Sequence, residues 1–284
     1  MTTLWRDEAQ SDASARGPDA KGGLPRGTLT IWLLAALALI YLIAPLVELL
    51  LAEPWSQVPA ALADPQAIDA TRVSALAATI STVLVALFGI PLAYALARWR
   101  FPLRPIVTAL IFTPLVFPAV VSGIVQLLLY GPYGPIGAAF ATRGVELTDS
   151  LAGVVLAQTF VAAPFAVVAA RSAFEAVNPL TESVAQTLGA SRWRVFWTIS
   201  LPQAWSGVVA GLALTWLRAF GEFGATAVMA YHPYTLPVYI YVQLTGLGTP
   251  AALPLALVAL TACALVITAV LLLTRRSRLP GGLP

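Results

Sequence analysis

Cysteine and histidine are almost missing from this chain of 284 residues: Cys263 and His232 each occur alone. A single cysteine excludes an intrachain disulfide and a cysteine-based zinc site. A single histidine removes multi-histidine metal sites and leaves one candidate for a histidine-based triad. Lysine is equally scarce. Lys21 is the only one, and no glycine-rich loop runs into it, so a phosphate-cradling loop of the P-loop kind is absent. If the protein uses ATP, another chain must bind it. Charged residues make up only 10% of the chain, against roughly 25% in an ordinary soluble domain. There are too few polar side chains to cover a soluble domain of this size.

Apolar residues are abundant instead. They account for 59% of the chain, and the mean hydropathy is +0.83, which excludes intrinsic disorder of the whole. A bilayer core of about 30 Å takes about 20 apolar helical residues to cross. Six stretches qualify: about 28–51, 73–97, 106–129, 151–170, 207–229 and 254–274. They are long and do not alternate polar with apolar, so helices are expected and barrel strands are not. The fold class is an all-α integral membrane protein with six transmembrane helices. The first span is too long for the apolar core of a signal peptide and follows a long polar segment, so it is expected to be retained. Residues 1–27 read as a solvated tail, 28–274 as the six-helix transmembrane domain and 275–284 as a second tail.

Lysine and arginine set the orientation. With six spans, one side carries Arg6, Arg16, Lys21, Arg26, Arg98, Arg100, Arg104, Arg171, Arg192, Arg194, Arg275, Arg276 and Arg278, and the other only Arg72 and Arg143. Both termini are therefore expected in the cytoplasm. The excess positive charge is a topology signal. A nucleic-acid partner is not expected, because there is no folded soluble domain to carry a basic face.

Three connections are unusual. The outer loop 130–150 opens with Gly131, Pro132, Gly134 and Pro135, which favour turns. The outer segment 231–253 holds Tyr231, Tyr234, Tyr239 and Tyr241, residues suited to a membrane–water boundary, with a short interfacial helix expected near 238–244. The third, about 174–203 on the inner side, is long for a helix–helix connection. Gly189 offers a break and Ser191 a helix cap. Trp193, Phe196 and Trp197 then fall on one helical face between Arg192 and Arg194, and Pro202 is expected to end the turn before the fifth span. This aromatic face either packs on the protein's own helices and lipid or docks another protein, where aromatics flanked by arginine are favoured anchors.

Within this segment, Ser183-Val184-Ala185, then Gly189, then Ile199-Ser200-Leu201-Pro202 fit the spacing of the signature loop of ABC importer permeases. That signature reads Glu-Ala-Ala, three residues, Gly, nine residues, Ile-x-Leu-Pro. The opening triplet departs from it: Ser183 and Val184 replace Glu and Ala, and Glu182 stands one residue early. The runs GIPLAYALAR (89–98), TPLVFPAVVSG (113–123) and GEFGATAVMAYHP (221–233) resemble the molybdate, tungstate and sulfate permeases of the type I family. Relatives for iron and thiamine share parts of them. The resemblance covers about residues 76–260. It implies the type I ABC importer permease fold, a homodimer, cytoplasmic ATP-binding ABC ATPase subunits, an extracytoplasmic solute-binding protein, and residence in the cell membrane. It also implies that Ala185, Gly189, Arg192, Trp193, Arg194, Phe196, Trp197, Leu201 and Pro202 form the loop that meets the ATPase. No cofactor is expected on this chain and no catalytic residue.

The fifth stretch is the expected wall of the solute path. Gly207 and Gly211 form a small-xxx-small pair, and Gly221 with Gly224 adds low-bulk surface. Arg218 and Glu222 sit four apart in the membrane, where charge must face protein or water. They read either as a structural ion pair or as a contact for the anion. Phe117 and Phe223 are candidate apolar gates, and Gly224 and Thr226 complete the candidate path. Pro91, Pro114, Pro118 and Pro164 can kink or simply shape their spans. Two other classes remain. An ion-coupled secondary transporter would use Glu222 as its coupling carboxylate. An intramembrane enzyme has almost no catalytic material here.

Overall fold

The computed structural model describes residues 28–52, 55 and 58–276, and all regular structure among them is helical. The chain divides into two compact units. The first contains α1 (Thr28–Ala52), an apolar helix with Pro45 inside it. At 1.5 Å per residue it is about 37 Å long, enough to cross a bilayer core. The predicted tail 1–27 lies outside the described residues, as does most of the predicted tail 275–284; α12 carries the chain to Arg276.

The second unit holds the remaining helices. A short α2 (Val58–Ala63) leads into α3 (Pro65–Arg98), a 34-residue helix. Asp64 starts α3 by accepting from the Gln66 N–H at 3.0 Å, with Pro65 in the first turn, where its missing N–H costs nothing. Helix α4 (Arg104–Val116) and α5 (Ala119–Tyr130) meet at a bend of 118°. The cause lies in the sequence Phe117-Pro118. A residue before proline is pushed out of the helical region, and Phe117 is extended at ψ 134°. A short α6 (Pro135–Ala141) follows. Helix α7 (Leu151–Ala176) is capped by Ser150, which accepts from the Gly153 N–H. Next come α8 (Pro179–Thr187), and α9, in which Arg192–Val195, the π-turn Phe196–Ser200 and Leu201–Phe220 run on as one helix. Then follow α10 (Gly224–Met229), α11 (Leu236–Leu247) and α12 (Thr249–Arg276).

Helix α7 is the hub. Its buried residues include Gly153, Ala157, Ala162, Ala166 and Ala170, small enough for neighbours to approach closely. The Gly207/Gly211 pair meets this face: a Cβ on Gly207 would stand 2.5 Å from Ala173 Cβ, and one on Gly211 2.8 Å from Ala169 Cβ. One core cluster joins α3, α7 and α9 around Leu96, Phe174, Phe196 and Val208. Another joins α3, α7, α9, α11 and α12 around Ala162, Phe220, Leu236 and Leu255.

Among the described residues four helices (α1, α3, α7 and α12) are apolar and long enough to cross a membrane, and a fifth if α4 and α5 count together. Two sequence expectations are corrected here. The stretch 207–229 is not one helix, since α9 stops at Phe220 and α10 begins at Gly224. Nor does Pro202 end a turn. It lies inside α9, just beyond the π-turn, where the Leu201 N–H reaches back five residues to the Phe196 carbonyl. The wider turn absorbs the donor and the space that proline removes from an α-helix. The same device precedes Pro91, where the π-turn Val85–Gly89 interrupts α3. Pro164 is carried within α7 without a break. A helix is present where one was expected near 238–244: α11 is tied to α3 at two points, with the Leu236 N–H donating to Ser74 Oγ at 2.7 Å and the Tyr239 hydroxyl to Asp64 at 2.6 Å. Burial, and next the bond to Asp64, push the Tyr239 phenol up to about 12.

Candidate functional site

Two places on the second unit gather the candidate residues. The first is the end where α3 and α7 finish and α9 starts. Here α8 is opened by Asn178, whose side chain accepts from the Leu180 N–H at 2.9 Å. Ala185 lies half-buried on α8, and its carbonyl accepts from the Ala190 N–H as the helix unwinds. Gly189 adopts φ +90°, a left-handed conformation that disfavours any side chain, although space around it is open. Ser191 then caps α9 by accepting from the Arg194 N–H at 3.3 Å.

The aromatic face divides in two. Phe196 is 5% exposed and packs edge-on against Tyr94 at 4.9 Å and near Phe174 at 6.0 Å, so it belongs to the protein's own core. Trp193 and Trp197 stack around it, with centroids 5.5 Å apart, yet remain 66% and 51% exposed. Arg192 and Arg194 are exposed, and no described carboxylate pairs with either. Leu201 is half-buried behind them and Pro202 exposed. The loop thus presents two indole rings and two guanidinium groups outward on a base of Phe196.

That base rests on a feature the sequence motif did not single out. Glu182, the one buried residue of α8, accepts from Arg98 Nε at 3.0 and 2.9 Å, from Arg98 Nη2 at 2.9 Å, and from Ser200 Oγ at 2.7 Å. Arg98 Nη2 also donates to the Val177 carbonyl at 3.0 Å. Nearby, Glu175 on α7 takes Arg171 at 2.8 Å and Arg104 of α4 at 3.6 Å. The signal available in the sequence was the displaced Glu182 together with Arg98 closing the run GIPLAYALAR.

The second place is the pair of helix breaks, Phe117-Pro118 and 221–223. The structure brings them together. A Cβ on Gly224 would lie 2.8 Å from Ala119 Cβ, and one on Gly123 would lie 2.8 Å from the Ala225 carbonyl and from Val228 Cβ. Helices α5 and α10 therefore meet nearly backbone to backbone. Phe117 is exposed at one break, and Phe223, half-buried at the other, packs on Tyr241 at 4.9 Å. Arg218 and Glu222 form an ion pair at 2.5 Å, with side chains 31% and 1% exposed. Glu222 also caps α10, accepting from the Ala225 N–H at 2.7 Å. Its carboxylate is committed to internal partners, and Arg218 keeps one side open. Thr226 is fully buried, and its hydroxyl finds no partner. At the far end of α10, Asp149 at φ 45° accepts from the Tyr231 N–H at 2.8 Å, while its own N–H donates to the Met229 carbonyl. Gly123 and Asp149 are further holders of this region, and neither was picked out from the sequence. His232 stacks with Tyr234 at 4.2 Å and takes no part in a charged cluster.

A cleft of about 550 Å³ between the π-turn of α3, α4 and α7 has no charged lining residue, and Thr159 is its one polar side chain. Among the described residues no group of histidine, cysteine, aspartate or glutamate is placed to bind a metal.

Comparison with known proteins matches residues 85–279 to the family described as binding-protein-dependent transport system inner membrane component. A probable molybdenum ABC transporter permease protein of Haloferax volcanii is 44% identical over 226 residues, covering 80% of this chain and 82% of that one. The molybdate/tungstate transport system permease protein WtpB of Thermococcus kodakarensis is 39% identical, over 82% and 91%. The sulfate transport system permease protein CysT of Escherichia coli is 32% identical, over 86% and 91%. Among solved structures, a bacterial ABC transporter involved in the import of alginate superposes with a TM-score of 0.64 at 18% identity, covering 98% of this chain and 99% of that one. The MetNI methionine ABC transporter in an inward-facing form gives 0.59 at 16%, over 74% and 95%.

Proposed function

The chain belongs to the binding-protein-dependent transport system inner membrane component family and has the type I ABC importer permease fold, and from that premise we propose that it forms the membrane path of an ATP-driven importer for a tetrahedral oxyanion, molybdate or tungstate. Two copies line the path. ATP is bound and hydrolysed on separate ATPase subunits, and an extracytoplasmic binding protein delivers the anion. This chain holds no cofactor, and its termini face the cytoplasm.

No covalent step is required. The task is to lower the barrier that hydrocarbon raises against a hydrated anion, which alternation between inward-open and outward-open forms achieves. The observation that carries the reading is the loop after α7, where Trp193 and Trp197 stand exposed over the buried Phe196 and beside two arginines that no described carboxylate pairs. Such anchors fit a groove on a partner. Helix α9 begins at that loop and ends at the break bearing Arg218 and Glu222, so a push on its start reaches the paired breaks as a rigid-body movement. Arg218, partly offset by Glu222, offers an anion weak attraction, which suits passage better than tight binding. The choice of anion rests on the names of the relatives. The sulfate relatives support sulfate as a second reading.

The test is uptake of labelled molybdate, tungstate and sulfate into vesicles holding the reconstituted complex, with its binding protein outside relative to the ATPase. ATP-dependent accumulation of molybdate or tungstate is expected. Preference for sulfate selects the second reading. Uptake that follows an ion gradient and ignores ATP overturns the proposal in favour of a secondary transporter.

A further inference from the structure

We infer that Arg98, Glu182 and Ser200 are positioning residues that make the loop and the membrane helices move as one, so that they set how much solute is carried per ATP. This rests on the reading of the loop as the ATPase seat and goes beyond it by naming what joins the seat to the path.

Phe196 anchors the start of α9 in the core, but α8 has little apolar hold of its own. Leu180, Val184 and Leu188 on and just after α8 all point to solvent, and Glu182 is the only residue of α8 that is buried. What ties α8 down is therefore a single carboxylate. It is gripped by a guanidinium from the last turn of α3 and by a hydroxyl from the π-turn of α9, and the same guanidinium holds the carbonyl that follows α7. Four elements converge on one ion pair whose side chains are 11% and 6% exposed. Burying two charges is a poor way to gain stability, because desolvation offsets most of the attraction. It is a good way to fix geometry, since the Arg–carboxylate bonds are directional and short. Ser200 adds a reason to connect this geometry with movement. It closes a π-turn, a place where the regular ladder is interrupted, and its hydroxyl reaches both Glu182 and the Val195 carbonyl. A shift of α8 would thus pull on α3 and α9 together and leave no slack in the loop.

The experiment measures transport and ATP hydrolysis in the same preparation of reconstituted complex. Glu182→Gln keeps the shape and removes the charge. The ATPase should co-purify in the wild-type ratio and hydrolysis should persist, while solute moved per ATP falls by about two- to thirtyfold, the range carried by coupling networks of this kind. Glu182→Asp, which retains the charge, should recover part of the loss. Arg98→Gln combined with Glu182→Gln should be no worse than the worse single variant, because both remove one joint. The inference is overturned if Glu182→Gln leaves transport per ATP unchanged. It is equally overturned if loss of ATPase or of folded permease accounts for the whole deficit, which is what a merely structural pair would give. A wild-type complex that neither hydrolyses ATP nor transports would instead bring down the functional reading itself.

Discussion

The loop after α7 and the paired helix breaks are built on opposite plans. At the loop, the inner face is locked by charge, while the outer face leaves two tryptophans and two arginines uncovered. At the breaks almost everything is spent internally. Glycine and alanine bring α5 and α10 into backbone contact, Glu222 is divided between Arg218 and the start of α10, and Asp149 secures the other end. One region leaves its outer face open, and the other turns most of its groups inward. Substitutions at the breaks should therefore damage the permease itself, and substitutions on the loop's outer face should damage association alone.

The largest effect should come from Arg218→Ala, which leaves the Glu222 carboxylate buried without its counter-charge. The cost is up to about 5 kcal/mol, visible as a lowered melting temperature of the detergent-purified permease. Adding Glu222→Gln should restore much of the stability, since the stranded charge is gone. A melting temperature unmoved by Arg218→Ala would show that the break does not depend on the pair. Within the loop, two neighbours should part company. Phe196→Ala should cost the fold about 3–4 kcal/mol by emptying a core position. Trp193→Ala should leave melting unchanged and weaken ATPase binding by about 2 kcal/mol, roughly thirtyfold. Equal effects of the two on melting would erase the division of the aromatic face. Smallest is Gly189→Ala, where a Cβ at φ +90° costs about 1–2 kcal/mol. Space is open there, so the penalty is conformational and should appear as weaker ATPase association with normal membrane insertion.

Much of this division was legible in the sequence, and the parts that were not share a cause. Gly189 and Ser191 act locally, through one backbone angle and one cap, and their roles follow from residue type and spacing. The Gly207/Gly211 pair was readable for the same reason, although its partner, the alanine face of α7, was not. The span 207–229 looked continuous because hydropathy registers apolar length and does not register a carboxylate capping the next helix from within. Pro202 looked like a terminator because a π-turn leaves no compositional mark. The arrangement of Arg98 with Glu182, 84 positions apart, and of Gly123 with Ala225 depends on tertiary contact. Periodicity marks which face of a helix is buried, and it carries no information on which distant residue that face will meet.

The most direct test of the account places a single thiol at the proposed seat. In a Cys263→Ser background, which has no other cysteine, Trp193→Cys and, at the fully exposed Tyr133 of the loop 130–150, Tyr133→Cys are labelled with a water-soluble maleimide, without the ATPase subunit and with enough of it to saturate the weakened Trp193→Cys variant. The account predicts that the ATPase, by covering the loop, markedly slows labelling at position 193 and leaves position 133 unaffected. Equal labelling at position 193 in the free permease and in the assembled complex would contradict it.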